Sequence, residues 1–115
     1  MKLNLVVIRV ADLERAANLY RALGLPLVRE RHGTGPEHYS ADIQGTILEL
    51  YPRQPGSEGT TQLRLGFAVD DLDKAVDSIQ AAGGRIVSPA QASPWGRRAV
   101  IEDIDGHRIE CVEAL

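Results

Sequence analysis

The sequence predicts an α+β fold made of two tandem βαβββ modules, and three observations lead to this prediction. The segment that begins at Ile8 aligns with the segment that begins at Phe67, at an offset of 59 residues. Further along the chain, ADIQGTILELY aligns with EDIDGHRIECV at an offset of 61 residues. Each half also contains the same succession of β-type apolar runs, a helical stripe and a hairpin signal. Repetition at a nearly constant offset indicates duplicated structural units.

In each half the first strand leads directly into a helix. The β-rich runs LNLVVIRV and LRLGFAV end at Asp12 and Asp71, which are residues of a type that caps helix N-termini. Apolar residues then recur at a helical spacing, which predicts one buried helix face. These residues are Leu13, Ala16, Ala17, Tyr20 and Leu23 in the first half and Leu72, Ala75, Val76, Ile79 and Ala82 in the second. Gly24 and the pair Gly83-Gly84 follow, where a helix end favours positive φ.

The remainder of each half predicts three strands. The runs LVRERH and RIVS are strand candidates, and each is followed by a hairpin. We expect Gln44-Gly45 and Asp105-Gly106 to be two-residue hairpin loops. Ser88 to Gly96 is expected to be a loop, and Pro52 to Gln62 is rich in the residues of a linker. We therefore expect module 1 at about 1–52, a linker at about 53–61 and module 2 at about 62–115.

The composition bears on which partners the protein can bind and on where in the cell it is expected to be. The chain has 115 residues, 43% of them hydrophobic, and a formal net charge of -3. This charge gives no reason to expect a nucleic-acid partner. The single cysteine, Cys111, excludes an internal disulfide framework, and we expect it to be a buried, inert thiol. No apolar stretch approaches the roughly 20 residues of a membrane span, so we expect a cytoplasmic protein without membrane contact.

Several segments carry a resemblance to a known family. They are RVADLERAANLY, GLPLV, TILELY, FAVDDLDKAV, GGRIVSP, PWGRRAV and EDIDGHRIECVE. In these segments the sequence resembles the vicinal oxygen chelate superfamily, which includes glyoxalase I, bleomycin-resistance proteins and extradiol dioxygenases. The resemblance implies curved mixed sheets around a concave cleft, with helices outside, and a homodimer. It also implies a divalent metal held by one residue from the first and fourth strand of each module.

The positions that the resemblance assigns to the metal ligands are Leu5, Glu49, Arg64 and Glu110. Leucine has no lone pair to donate, and arginine offers only N–H donors and a permanent positive charge. We therefore expect no bound metal or other cofactor. If a divalent metal is bound after all, we expect Glu49 and Glu110 to hold it.

Strand alternation predicts which other side chains share the face of these two glutamates. The expected ligand-binding residues are Glu49, Glu110, Arg64, Arg9, His38, Tyr51 and Trp95. Glu49 and Glu110 are also the catalytic candidates, because a carboxylate in a cleft can act as a general base. Alternatively, Arg64 neutralises both carboxylates in an ion-pair cluster. We expect His32 and His107 to be solvated.

Three functions remain open at this point. The first is a small-molecule-binding protein of the antibiotic-sequestering or ligand-carrier kind, which would serve antibiotic resistance and would not be an enzyme. The second is a metal-dependent lyase, isomerase or dioxygenase that acts on a substrate with adjacent oxygens, with His38 or water completing the ligands. The third is a degenerate module with a filled cleft that acts through its dimer.

Overall fold

The chain forms two compact units, each built in the order βαβββ. The computed structural model describes residues 1–114 and divides into unit 1, Met1–Thr60, and unit 2, which begins at Thr61. Each unit has one helix and one four-stranded mixed sheet, which confirms the predicted fold class. In the part of the chain that is described, neither helix is long and apolar enough to cross a membrane.

Unit 1 contains four strands and a helix whose bounds are β1 (Leu5–Val10), α1 (Leu13–Leu23), β2 (Val28–Glu30), β3 (His38–Ile43) and β4 (Thr46–Pro52). The strand order in its sheet is β1-β4-β3-β2. β1 runs parallel to β4, whereas the β3–β4 and β2–β3 pairs are antiparallel.

Unit 2 repeats this arrangement with β5 (Arg64–Ala68), α2 (Leu72–Ala81), β6 (Arg85–Ser93), β7 (Gly96–Glu102) and β8 (Arg108–Glu113). The strand order is β5-β8-β7-β6, so each strand occupies the place of its counterpart in unit 1. β5 is parallel to β8, and the two remaining pairs are antiparallel.

The core of each unit lies between its helix and one face of its sheet. The predicted helix stripes supply buried residues on both helices, including Ala17 and Tyr20 on α1 and Ile79 on α2. Facing strand residues such as Leu50 and Cys111 are fully buried. Burial is the main cause that raises the pKa of the Cys111 thiol to about 11, with a smaller contribution from the charge of Glu110. A thiol in this environment stays protonated at neutral pH.

Both helices begin at the predicted aspartates. The Asp12 side chain accepts a hydrogen bond from the Arg15 N–H, and the Asp71 side chain accepts one from the Lys74 N–H. α2 has an additional acceptor, because Oε2 of Glu113 lies 2.7 Å from the backbone nitrogen of Leu72. A helix leaves its first N–H groups without intrahelical partners, so this contact satisfies one of them.

The two hairpins that end the modules differ in loop length. Ile43 pairs with Thr46, so Gln44 and Gly45 form the predicted two-residue loop, with φ values of 51° and 94°. The prediction of a two-residue loop at Asp105-Gly106 is wrong. The Asp103 nitrogen instead bonds the His107 oxygen at 3.0 Å, which leaves a three-residue loop between them. The Asp103 carboxylate fixes this wider loop by accepting the N–H groups of Asp105, Gly106 and His107.

The predicted loop from Ser88 to Gly96 is also largely strand. β6 continues through Pro89 to Ser93, and only Pro94 and Trp95 form the turn into β7. β6 is an edge strand with an irregular register around Pro89. Proline lacks an N–H, but it is tolerated in an edge strand and at a bulge. The expectation that Pro89 excludes a strand therefore does not hold here.

Candidate functional site

A row of four polar and aromatic side chains crosses the whole sheet of unit 1. Arg9 of β1 pairs with Tyr51 of β4, and His38 of β3 pairs with Glu30 of β2. The β3–β4 register pairs Tyr39 with Leu50, and its continuation by one residue brings His38 beside Tyr51. Because alternate residues share a face, this row lies on the face opposite the helix-facing Leu50.

The middle of the row is a column of stacked planar groups. The Tyr51 and His38 rings are 4.3 Å apart between centroids and only 8° from parallel. The guanidinium carbon of Arg9 lies 5.0 Å from the Tyr51 ring centroid, within the range of a cation–π contact. The His32 ring is 5.1 Å from the His38 ring and tilted by 38°. Unit 1 therefore presents one cation and three rings in continuous contact.

The two ring nitrogens of His38 face different acceptors. The side chain is 1% exposed, and its Nδ1 lies 3.1 Å from the carbonyl oxygen of Pro36. A carbonyl oxygen only accepts, so Nδ1 carries a hydrogen. Nε2 lies 3.1 Å from Oε1 of Glu30 and 3.6 Å from Oε2 of Glu49. Ionised carboxylates also only accept, so this arrangement is favourable when a proton or a cation lies between Nε2 and the carboxylates.

Glu49 occupies the next row on the same face of the sheet. It pairs with Val7 of β1 and Ser40 of β3, two residues before Tyr51. Its side chain is 15% exposed, so its carboxyl group is largely withdrawn from water beside His38. The predicted residues Arg9, His38, Glu49 and Tyr51 are thus brought together within unit 1.

A cavity of about 340 Å³ lies at the Arg9 end of the row. It is lined by Arg9 and by the segment that follows β4, through Gln54, Ser57, Gly59 and Thr60. The Thr60 hydroxyl accepts a hydrogen bond from the Arg9 backbone nitrogen at 2.9 Å and ties this segment to β1. The cavity wall is divided about equally between polar and apolar surface.

In unit 2 the equivalent glutamate has a different partner. Arg98 forms an ion pair with Glu110, and its hydrogen bond is the main cause that lowers the pKa of Glu110. The charge of Arg64 also lowers this pKa, although Arg64 itself is exposed. Trp95 lies at the β6–β7 turn with 70% of its surface exposed. The direct ionic partner of Glu110 is therefore Arg98, which is not among the expected site residues.

The second buried histidine belongs to the hairpin of unit 2. His107 is fully buried, so the expectation that it is solvated is wrong. Its Nδ1 lies 2.9 Å from Oδ2 of Asp103, whose Oδ1 accepts the N–H groups of the loop, including that of His107. These contacts give His107 a structural role. His32, in contrast, is exposed as expected.

Glu30 is a site residue that sequence reasoning missed. It lies in β2, which the sequence predicted, but its contact with His38 depends on the β2–β3 register. The segment between these strands has no regular structure that would fix that register in advance. Alternation along LVRERH does place Glu30 and His32 on one side, and this was the available signal.

Comparison with known proteins now decides the family. The model of the Glyoxalase/Bleomycin resistance protein/Dioxygenase superfamily matches residues 2–111. The chain belongs to this superfamily. A lactoylglutathione lyase from Salmonella typhimurium is 30% identical over 131 aligned positions, which cover 99% of this chain and 93% of that protein.

Two solved structures extend the comparison. TnmS3, an antibiotic-binding protein from Streptomyces sp. CB03234, is 25% identical with a TM-score of 0.78, and the match covers 100% of this chain and 97% of that one. TioX from Micromonospora sp. ML1 is 28% identical with a TM-score of 0.69, over 100% of both chains. The proteins that this chain resembles therefore include both a named enzyme and a named binding protein.

The donor set at the expected metal positions does not fit a metal ion. Leu5 offers an aliphatic side chain that is 50% exposed, and Arg64 offers a permanent cation. Glu110 is already engaged by Arg98, so its charge is compensated within unit 2. Of the four positions, Glu49 alone combines a donor oxygen with a neighbouring imidazole.

Proposed function

We propose that this protein binds a small organic molecule, and that it does so without the four-ligand metal centre that the resemblance implies. The observation that carries the proposal is the stacked column of Arg9, Tyr51 and His38 with Glu49 on the same face of unit 1. Aromatic faces contact the apolar or aromatic body of a ligand, and a few charged groups orient its polar part. The likeness to an antibiotic-binding protein supports this proposal.

Three residues of unit 2, taken by itself, remain proposed ligand contacts. Glu110 and Arg64 supply charges of opposite sign, and Trp95 supplies a large exposed apolar surface. Exposed tryptophans of this kind commonly contact ligands or partners. We assign the proposed small-molecule site to unit 1, because its charged and aromatic groups are in direct contact with one another.

The test is a ligand screen by thermal shift, followed by calorimetric titration of any hit. Aromatic and glycopeptide antibiotics are suitable probes, and a chelator is present throughout. We expect Tyr51→Leu and Arg9→Gln each to weaken binding of a hit about tenfold, which corresponds to about 1.4 kcal/mol. Arg15→Gln is the matched control, because Arg15 is an exposed arginine on α1. Equal affinity in all variants, or no hit in the screen, contradicts the proposal.

A second candidate function is supported by a specific relative. The 30% identity to a lactoylglutathione lyase over 99% of this chain favours a lyase of that kind, with Glu49 as the general base. An assay of lactoylglutathione turnover, with and without added divalent ions, separates the two candidates. Turnover by the wild-type protein that is lost in Glu49→Gln would replace the binding function with the enzymatic one.

The proposal also includes a cytoplasmic homodimer. Leu5 and Val28 are 50% and 62% exposed and lie on β1 and β2, the two edge strands of the unit 1 sheet. Exposed apolar residues on edge strands are commonly covered by another chain. Light scattering on the purified protein tests this, and Val28→Lys is expected to shift a dimer toward monomer.

A further inference from the structure

Unit 1 contains a set of nitrogen and oxygen donors at a spacing that suits a metal ion. Oε1 of Glu30 lies 3.1 Å from Nε2 of His38 and 3.3 Å from Nε2 of His32. Each of the three residues has a ligand atom within 4.8 Å of those of the other two. A tetrahedral zinc site with bonds of about 2.0–2.2 Å separates neighbouring donors by about 3.3–3.6 Å. The two distances from Glu30 are therefore close to those of a zinc site, and the two imidazole nitrogens lie no more than 4.8 Å apart.

The backbone holds these donors in place. Glu30 and His38 are directly opposed on β2 and β3. His32 follows Glu30 by two residues, and its ring comes within 5.1 Å of the His38 ring. The His38 ring is fixed further by its stack on Tyr51. Two of the donors are thus positioned by sheet pairing before any ion binds.

The second nitrogen of His38 is held as a metal-binding histidine requires. Metal-bound histidines almost always donate their other ring N–H to a carbonyl or carboxylate. In His38, Nδ1 donates to the Pro36 carbonyl, which directs the lone pair of Nε2 toward Glu30 and Glu49. A cation at this point would bind the imidazole lone pair and an oxygen of Glu30, with the Glu49 carboxylate close to His38.

The group is also accessible from solvent. The His32 side chain is 72% exposed and that of Glu30 is 35% exposed, whereas that of His38 is 1% exposed. An ion can therefore enter from the His32 side and rest against the buried His38. Three protein donors leave a coordination position for water or an exogenous ligand.

A second group of potential ligands, Asp103, Asp105 and His107, provides an internal contrast. Here Oδ1 of Asp103 already accepts three backbone N–H groups, and Oδ2 is bonded to His107. An ion would have to displace these bonds from a buried loop. This group therefore serves as a control.

We propose that Glu30, His32 and His38 bind one divalent transition-metal ion of the Zn²⁺ class, with Glu49 contributing a nearby negative charge. Imidazole and carboxylate donors together suit Zn²⁺ and its neighbours rather than Ca²⁺ or Mg²⁺. The site lies within unit 1 and does not use the positions of Leu5, Arg64 or Glu110. It shares His38 and Glu49 with the proposed small-molecule site, but its occupancy can be measured without any organic ligand.

The test is a calorimetric titration of chelator-treated full-length protein with Zn²⁺ alone. We expect one ion per chain, with affinity at least tenfold weaker in Glu30→Gln and in His32→Ala. Both residues are more than a third exposed, and Glu30→Gln is also isosteric, so we expect both variants to fold. Circular dichroism checks this. Asp105→Asn, the control in the second group, is expected to bind as the wild type does.

Absence of binding by the wild-type protein overturns the proposal. So does binding that survives both Glu30→Gln and His32→Ala, or binding that is lost in Asp105→Asn. Because no organic ligand is present, a negative result here leaves the small-molecule function intact. Conversely, a failed ligand screen in chelator leaves the metal site intact.

Discussion

The same row of positions carries very different side chains in the two units. In unit 1 the row across the sheet comprises Arg9, Tyr51, His38 and Glu30. In unit 2 the corresponding row comprises Ala68, Val112, Arg98 and Gln91. The strand order is identical, so the backbone places both rows alike. The duplicated fold supplies the positions, and only unit 1 fills them with contacting aromatic, basic and acidic groups.

The two buried histidines, His38 and His107, also differ between the units in their hydrogen-bond partners. His107 is bonded to a carboxylate whose oxygens are engaged by the loop it stabilises. His38 instead directs Nε2 at two carboxylates and holds its other nitrogen on a carbonyl. Burial alone therefore does not distinguish His107 from His38, whereas the partners of each ring nitrogen do.

The largest expected effect of a substitution on stability is at Asp103. Asp103→Ala leaves three N–H groups of the loop and the buried His107 without their acceptor. Unsatisfied buried groups are costly, so we expect the free energy of unfolding to fall by about 3 kcal/mol in urea denaturation.

Asp42 in the hairpin of unit 1 is the matched control. It is exposed and accepts the Gly45 N–H at 2.7 Å. Asp42→Ala is expected to cost about 1 kcal/mol or less. If Asp103→Ala and Asp42→Ala lower the free energy of unfolding equally, the two hairpins do not differ in the way proposed.

A smaller effect is expected from the ion pair of Glu110, and it depends on pH. Arg98 lowers the pKa of Glu110 in the folded protein below the ordinary value of 4.5. The pair therefore stabilises the fold above that value, and the contribution is lost as pH falls through the lowered pKa. Glu110→Gln should lower the free energy of unfolding by about 1 kcal/mol or less at pH 7, because the pair is partly exposed. When the pH is lowered, the stability of the variant should fall by less than that of the wild type.

Urea midpoints of both proteins at neutral pH and below the pKa of Glu110 measure this difference. The two curves should converge at low pH. Parallel curves would show that Glu110 contributes no pH-dependent stability.

The smallest expected effect on stability is at the N-terminus of α2, which has an acceptor that α1 lacks among the contacts described above. Glu113→Gln weakens the acceptor for the Leu72 N–H at the start of α2, and we expect a loss of about 0.5–1 kcal/mol in thermal or urea unfolding. Glu58→Gln, in an exposed segment of unit 1, is the charge-matched control and should leave stability unchanged. A loss in Glu58→Gln equal to that in Glu113→Gln would indicate a general effect of charge rather than a helix cap.

The fold was largely predictable from the sequence, and the site only in part. Asp12, Asp71 and Gly24 act locally, so their capping roles could be recognised from neighbouring residues. Glu113 caps α2 from a position 41 residues away, which no local pattern reveals. The pairing of Glu110 with Arg98 depends on which cation reaches it across the β7–β8 pair.

The unit 1 site shows where prediction from sequence stopped. Alternation and the two-residue loop placed His38, Glu49 and Tyr51 on one face, because those positions follow from the β3–β4 register. Glu30 reaches His38 through the β2–β3 register, which an irregular segment leaves undetermined. The register between strands joined by an irregular segment is therefore what could not be predicted from the sequence.

The most direct test of the difference between the two units is the response of the imidazole nitrogens to metal. Long-range proton–nitrogen NMR of ¹⁵N-labelled, chelator-treated protein resolves both ring nitrogens of each histidine. On addition of one equivalent of Zn²⁺, the Nε2 resonances of His38 and His32 should move while those of His107 stay in place. Movement of His107 instead, or no movement at His38, would contradict the assignment of the functional centre to unit 1.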